Sequence, residues 1–132
     1  MVPIVGTVRA GAPLLAVEHV EGTIAVDASL VRADNMFFLR VRGGSMIEAH
    51  IQDGDLALIR PQARVEQGEI AAVLVGDEAT IKHVFRERNA IRLQPANAAM
   101  QPIRIAAGSR EVRIIGKVVG IYRNMENVKR EA

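Results

Sequence analysis

The chain has 132 residues, of which 49% are hydrophobic and 24% charged, a size and balance that fit one globular domain spanning 1–132 with a core of its own. It contains no cysteine, which excludes disulfides, thiolate metal sites and a cysteine nucleophile. Its 17 basic and 15 acidic residues leave a net charge of +2, too small for an electrostatic footprint on nucleic acid, so DNA affinity would have to come from elsewhere.

Val and Ile are abundant, aromatic residues make up only 3%, and the apolar runs are short and broken by Gly, Pro, Asn and Asp. That pattern predicts a mainly β fold of paired, coiled sheets with very little helix. The first strand is expected at 3–8. It leads into Val8-Arg9-Ala10-Gly11-Ala12-Pro13. This segment reads either as an ordinary turn or as an exposed loop whose Ala10–Gly11 bond, almost without side-chain bulk, fits a narrow cleft.

A strand at 36–41 runs into Arg42-Gly43-Gly44-Ser45-Met46, at the start of a short helical segment. Two glycines let the chain turn sharply, and the Gly44 and Ser45 amides at a helix start favour negative charge, as an oxyanion hole requires. Ser45 and Glu48 also have the S-x-x-E spacing of a capping box, so the hydroxyl reads as a helix cap as well. Asp53 and Asp55 flank Gly54 and read as turn formers.

Strands follow at 55–60 and 69–75, then a tight hairpin turn at Gly76-Asp77-Glu78 and a strand at 79–85. Alternation along that strand puts Thr80, Lys82 and Val84 on one face and Ile81 and Phe85 on the other. Half-buried there, Lys82 would lose the solvation of its ammonium and become a possible general base oriented by Thr80; on an exposed edge it is a solvated cation. Moving a lysine from about 10.4 to about 7 or 8 takes roughly 3 to 5 kcal/mol, which an apolar wall must supply.

A hairpin near Arg88-Asn89 precedes a strand at 90–95, and a long strand at 112–123 is interrupted by Gly116 and Gly120, which predicts a bend or bulge. Its apolar part, 114–122, reads either as an internal strand or as a symmetric dimer interface. The tail at 124–132 is polar and expected to fray. His19, His50 and His83 are too dispersed for a metal cluster, and no metal or cofactor is expected. The longest apolar run, 70–75, is strand-sized, and the first four residues lack the basic segment of a secretory signal. The reading is a soluble, cytoplasmic protein with no membrane partner.

Taken together, Val8-Arg9-Ala10-Gly11, Gly43-Gly44-Ser45-Met46 and Lys82 resemble the self-cleaving domain of LexA-type SOS repressors. Ser45 follows Ala10 by 35 residues, and Lys82 follows Ser45 by 37. The likeness extends to Pro3-Ile4-Val5-Gly6, to Ile51-Gln52-Asp53-Gly54-Asp55-Leu56 and to Ile115-Gly116-Lys117-Val118-Val119-Gly120. It implies a serine-lysine autopeptidase that cuts its own Ala10–Gly11 bond, with Ser45 as nucleophile, Lys82 as general base and the Gly44 and Ser45 amides as oxyanion hole. It also implies the mainly β fold shared with signal peptidases and UmuD proteins, a homodimer through the C-terminal strands, and the RecA nucleoprotein filament as coprotease.

Two positions depart from the family pattern: Arg9 stands where many relatives have a small residue, and Gly44 where a side chain is usual. LexA-type repressors also carry a helix-turn-helix DNA-binding domain ahead of this region, which residues 1–132 do not include. DNA contact is therefore assigned to that N-terminal domain. The chain reads as the C-terminal domain of such a repressor, or as a short UmuD-like accessory protein of a translesion polymerase; the Ala-Gly bond and its flanks favour the first. If Ser45 only caps and Lys82 is solvated, a non-catalytic β interaction module remains.

Overall fold

A computed structural model describes residues 1–6, 19–31 and 33–127, so Arg9, Ala10 and Gly11 lie outside the described residues. Nine strands carry the fold: β1 (Val2–Val5), β2 (Val20–Ile24), β3 (Phe37–Arg40), β4 (Leu56–Pro61), β5 (Ile70–Val75), β6 (Glu78–Arg86), β7 (Ala90–Gln94), β8 (Ile103–Ala106) and β9 (Val112–Tyr122). They form one mixed sheet in the order β2-β1-β3-β4-β9-β5-β6-β7-β8. The β1–β3 pair is parallel and the other neighbours are antiparallel. The helix among the described residues is all 3-10, at Ala28–Leu30, Ile47–Ala49 and Met125–Asn127 and at His19.

The mainly β expectation is borne out, and each of the seven expected strands is present with shifted ends. The two that sequence reading missed, β2 and β8, are the outermost strands of the sheet. Neither contains a fully buried residue, so their sequences carry little burial pattern. The hairpin expected at Gly76-Asp77-Glu78 is present, but its turn is only Gly76 and Asp77, with Gly76 at φ 59°, because Glu78 already pairs with Val75 as the first residue of β6.

β9 lies inside the sheet, hydrogen-bonded to β4 on one edge and β5 on the other. The register slips beside Gly120, where Leu58 pairs with it and Ile59 with Val118, and beside Gly116, where Ala72 pairs with it and Val73 with Ile114. These bulges coil the sheet at the two glycines. A Cβ at Gly116 would run into the Arg60 carbonyl and the Ile59 side chain, so glycine is required there by close approach.

Three apolar clusters follow from the coiling. One joins Phe37, Leu39, Met46, Ile59, Ala72, Leu74, Ile81 and Ile115 across the middle of the sheet. A second packs Val2, Met36, Phe38, Leu56 and Leu58 at the β1–β3–β4 end. A third packs Val65, Ala71, Val73, Val84 and Leu93 at the other. Met46 and Ile81 belong to the same central cluster, which sets the turn containing Ser45 against the strand containing Lys82.

Candidate active site

The chain leaves β3 at Arg40 and turns through residues 42–46 before a single 3-10 turn at Ile47–Ala49. Gly43 sits at φ +80°, a conformation glycine adopts without strain, and its N–H donates to Asp53 Oδ1 at 2.7 Å. Met46 is 1% exposed and roots the turn in the core. His50, in the left-handed region at φ 63°, ends it.

Ser45 does not cap this helical turn. The cap position is Met46, without a side-chain cap bond, and Glu48 is turned to accept from the Ala98 N–H at 2.7 Å. The capping-box spacing is therefore not realised. A 3-10 turn of three residues offers little of the helix start that the motif requires, and Glu48 finds a partner elsewhere.

Lys82 lies on β6 opposite Ala71 of β5, between Thr80 and Val84 on its own face. Ala71 and Val84 are buried, and Lys82 is itself only 7% exposed, so the solvated-edge alternative does not hold. Its Nζ donates to Ser45 Oγ at 2.9 Å and to Thr80 Oγ1 at 2.5 Å. Among the described residues it makes no ion pair with a carboxylate. Burial without a counter-charge disfavours the ammonium and pushes its pKa below the ordinary lysine value. The arrangement joins a hydroxyl, an amine with an incentive to shed its proton and a second hydroxyl that orients the amine. Those are the parts of nucleophile activation by a base.

The supporting groups come from distant parts of the chain. Gln52 N–H donates to Asp55 Oδ2 at 2.8 Å, and Arg123 grips the same carboxylate through Nε at 2.6 Å and Nη2 at 2.8 Å. Arg123 Nη2 also donates to the His50 carbonyl at 3.0 Å. This pair ties the end of β9 to the loop that follows the serine. Residues 96–98 brace the serine turn from the other side: Asn97 Nδ2 donates to Gly44 O at 2.9 Å, Glu48 N to Ala96 O at 2.8 Å and Ala96 N to Met46 Sδ at 3.4 Å. Sequence reading missed Arg123 and Asn97, since both reach their partners across more than 50 residues with no local spacing to announce them.

The three histidines stay apart: His83 Nδ1 contacts the Gly68 carbonyl at 2.8 Å, and His50 ends the serine turn. Among the described residues no group of three or more His, Cys, Asp or Glu could hold a metal ion, and no helix is long and apolar enough to cross a membrane.

Residues 3–119 match the peptidase S24-like family. The chain belongs to that family. Within it the similarity is to LexA repressors, as the spaced motifs implied. The chain is 57% identical over 125 residues to the LexA repressor of Geotalea uraniireducens, covering 95% of this chain and 62% of the relative. It is 55% identical to LexA repressor 1 of Geobacter sulfurreducens, with 94% and 61% covered, and 47% identical to the LexA repressor of Desulfitobacterium hafniense, with 92% and 58% covered. This S24-like chain thus spans about three fifths of the length of these relatives.

Proposed function

We propose that this chain is the self-cleaving and dimerisation domain of a LexA-type repressor of the SOS response to DNA damage, and that it hydrolyses its own Ala10–Gly11 bond with a Ser45–Lys82 dyad. The observation that carries this reading is the 2.9 Å contact between Lys82 Nζ and Ser45 Oγ, made by a lysine whose pKa burial lowers from its ordinary value. A non-catalytic module would leave Ser45 as a cap and Lys82 in solvent, and neither is found.

In the proposed reaction the neutral Lys82 amine takes the proton of Ser45 as Oγ attacks the Ala10 carbonyl carbon. The Gly44 and Ser45 N–H groups receive the oxyanion; among the described residues neither donates a hydrogen bond elsewhere. Collapse breaks the bond to Gly11, whose nitrogen takes the proton back from Lys82. Residues 1–10 are left as an ester on Ser45. Lys82 then takes a proton from a water that attacks this ester and gives it to Ser45 Oγ as the acyl C–O bond breaks, which frees the Ala10 carboxylate and restores the serine and the neutral amine.

Holding scissile bond and dyad in one chain removes the translational cost of capturing a substrate, so the rate is set by how often the segment around Ala10 docks. A partner that stabilises the docked form switches the peptidase on. The RecA filament on single-stranded DNA is that partner by similarity to the family, and DNA binding belongs to a separate N-terminal domain of the repressor.

Incubation of the purified chain at mildly alkaline pH tests the proposal. Mass spectrometry should find fragments 1–10 and 11–132, and Ser45→Ala and Lys82→Ala should each stay intact. Equal cleavage by either variant and the parent removes the dyad from the mechanism.

A further inference from the structure

We infer that Asn97 is a positioning residue for the proposed self-cleavage: by holding the Gly44 carbonyl it fixes the direction of the Ser45 N–H that receives the oxyanion. This inference rests on the Ser45–Lys82 reading above and assigns the residue that keeps its oxyanion hole in place.

The argument begins with peptide planarity. The Gly44 C=O and the Ser45 N–H belong to one trans peptide group, so they point in opposite directions within one plane. Whatever anchors the carbonyl also aims the N–H. Asn97 Nδ2 donates to Gly44 O at 2.9 Å, while the Ile47 N–H reaches the same oxygen only at 3.4 Å. The Asn97 bond is the shorter of the two and comes from outside the turn.

The turn needs an external anchor because of its composition. Gly43 and Gly44 stand in succession before the serine, and glycine offers little resistance to rotation about the bonds flanking its peptide groups. Without a hold on its carbonyl, the Gly44–Ser45 peptide can rotate and carry the N–H away from the reacting centre. Asn97 is itself held: its Oδ1 accepts from Ala99 N–H at 2.9 Å, which leaves Nδ2 directed at Gly44. The neighbouring Ala98–Glu48 and Ala96–Glu48 bonds keep segment 96–98 in register with the turn. A side chain at Gly44 would restrain the same peptide from within. A Cβ there meets only Ile47 Cγ2, at an ordinary 3.5 Å.

The test uses the first-order rate of alkaline self-cleavage of the whole chain. Asn97→Asp keeps the size of the side chain and its bond to Ala99 but presents an oxygen to the Gly44 carbonyl; Asn97→Ala removes both bonds. Each should lower the plateau rate about tenfold to a hundredfold, somewhat less than deletion of an oxyanion donor. The midpoint of the pH–rate curve, set by Lys82, should stay where it is. Placed in a Gly44→Ala background, Asn97→Ala should cost severalfold less than in the parent, because the alanine supplies part of the lost restraint.

Parental rates in both Asn97 variants overturn the proposal. So does a loss that moves the pH midpoint, or one that is equal in both backgrounds, since either marks a general prop of the fold. Ser45→Ala and Lys82→Ala run alongside: if they cleave, the dyad reading fails, whereas inert dyad variants beside fully active Asn97 variants refute the positioning role alone.

Discussion

Lys82 Nζ lies 2.9 Å from Ser45 Oγ although 37 residues separate the two in the chain. The contact is produced by packing. Met46 and Ile81, their respective neighbours, share one buried cluster, and that cluster brings the serine turn onto the face of a strand where an amine has lost its solvent.

The rate of the proposed cleavage should rise with pH and then level off. Lys82 acts as a base only when deprotonated, and burial places its pKa below the ordinary value of about 10.4. First-order rates measured from pH 6 to 11 should therefore show a midpoint below that value, with a slope near one on the acid side. A midpoint at the ordinary lysine value would remove burial as the activating device.

The same burial costs stability at neutral pH. Between its lowered folded value and about 10.4 the unfolded chain binds more protons at Lys82 than the folded chain does, so the stability contribution of this residue increases with pH across that interval. Lys82→Met keeps most of the side-chain volume and removes the ionisable group. It should raise the Tm at pH 7 by about 2 to 6 °C, an advantage that shrinks as the pH climbs toward 10.4. A Tm that falls at pH 7 would show that the bonds to Ser45 and Thr80 outweigh the desolvation.

Arg123→Ala should destabilise the fold and the serine loop together. Asp55 is 1% exposed and loses both of its guanidinium bonds, while Arg123 is 29% exposed, so the urea midpoint at pH 7 should fall, by less than breaking a fully buried pair would lower it. The Arg123 hydrogen bond is the main cause that holds the Asp55 pKa below its ordinary value. The resulting stability is present above about pH 4 and is lost as pH falls through the folded value. Urea titrations from pH 7 down to 3 should give a shallower acid loss for the variant. Parallel curves would assign the acid loss to other carboxylates.

Dimerisation through β9 would use its second half. There β4 pairs along one edge up to Tyr122, whereas the ladder with β5 stops at Lys117, and Val119, Ile121 and Tyr122 remain 41%, 40% and 45% exposed. Sedimentation equilibrium should find the parent as a dimer and Ile121→Glu weakened at least tenfold in self-association, since a carboxylate would be buried against apolar surface. A monomeric parent would end this assignment.

What the sequence determined by itself is local. Short Val- and Ile-rich runs between turn residues foretold a mainly β chain, and Gly76-Asp77 foretold its tightest hairpin, because period-two burial and positive φ are properties of neighbouring residues. Gly116 and Gly120 marked the bulges of β9, since a glycine inside a strand pattern offers no side chain to pack, although the close approach that requires Gly116 is tertiary. The edge strands β2 and β8 were invisible, as a strand with little buried surface leaves little pattern. At the site, local spacing offered Ser45 as a cap and left Lys82 undecided between solvent and core. Only the tertiary structure chose. It set the apolar cluster of Met46 and Ile81 beside the two polar groups, buried the amine with no carboxylate partner among the described residues, and supplied Arg123 and Asn97 from more than 50 residues away. Desolvation and long-range hydrogen bonds depend on what surrounds a residue in space, and that environment exists only once the sheet has coiled.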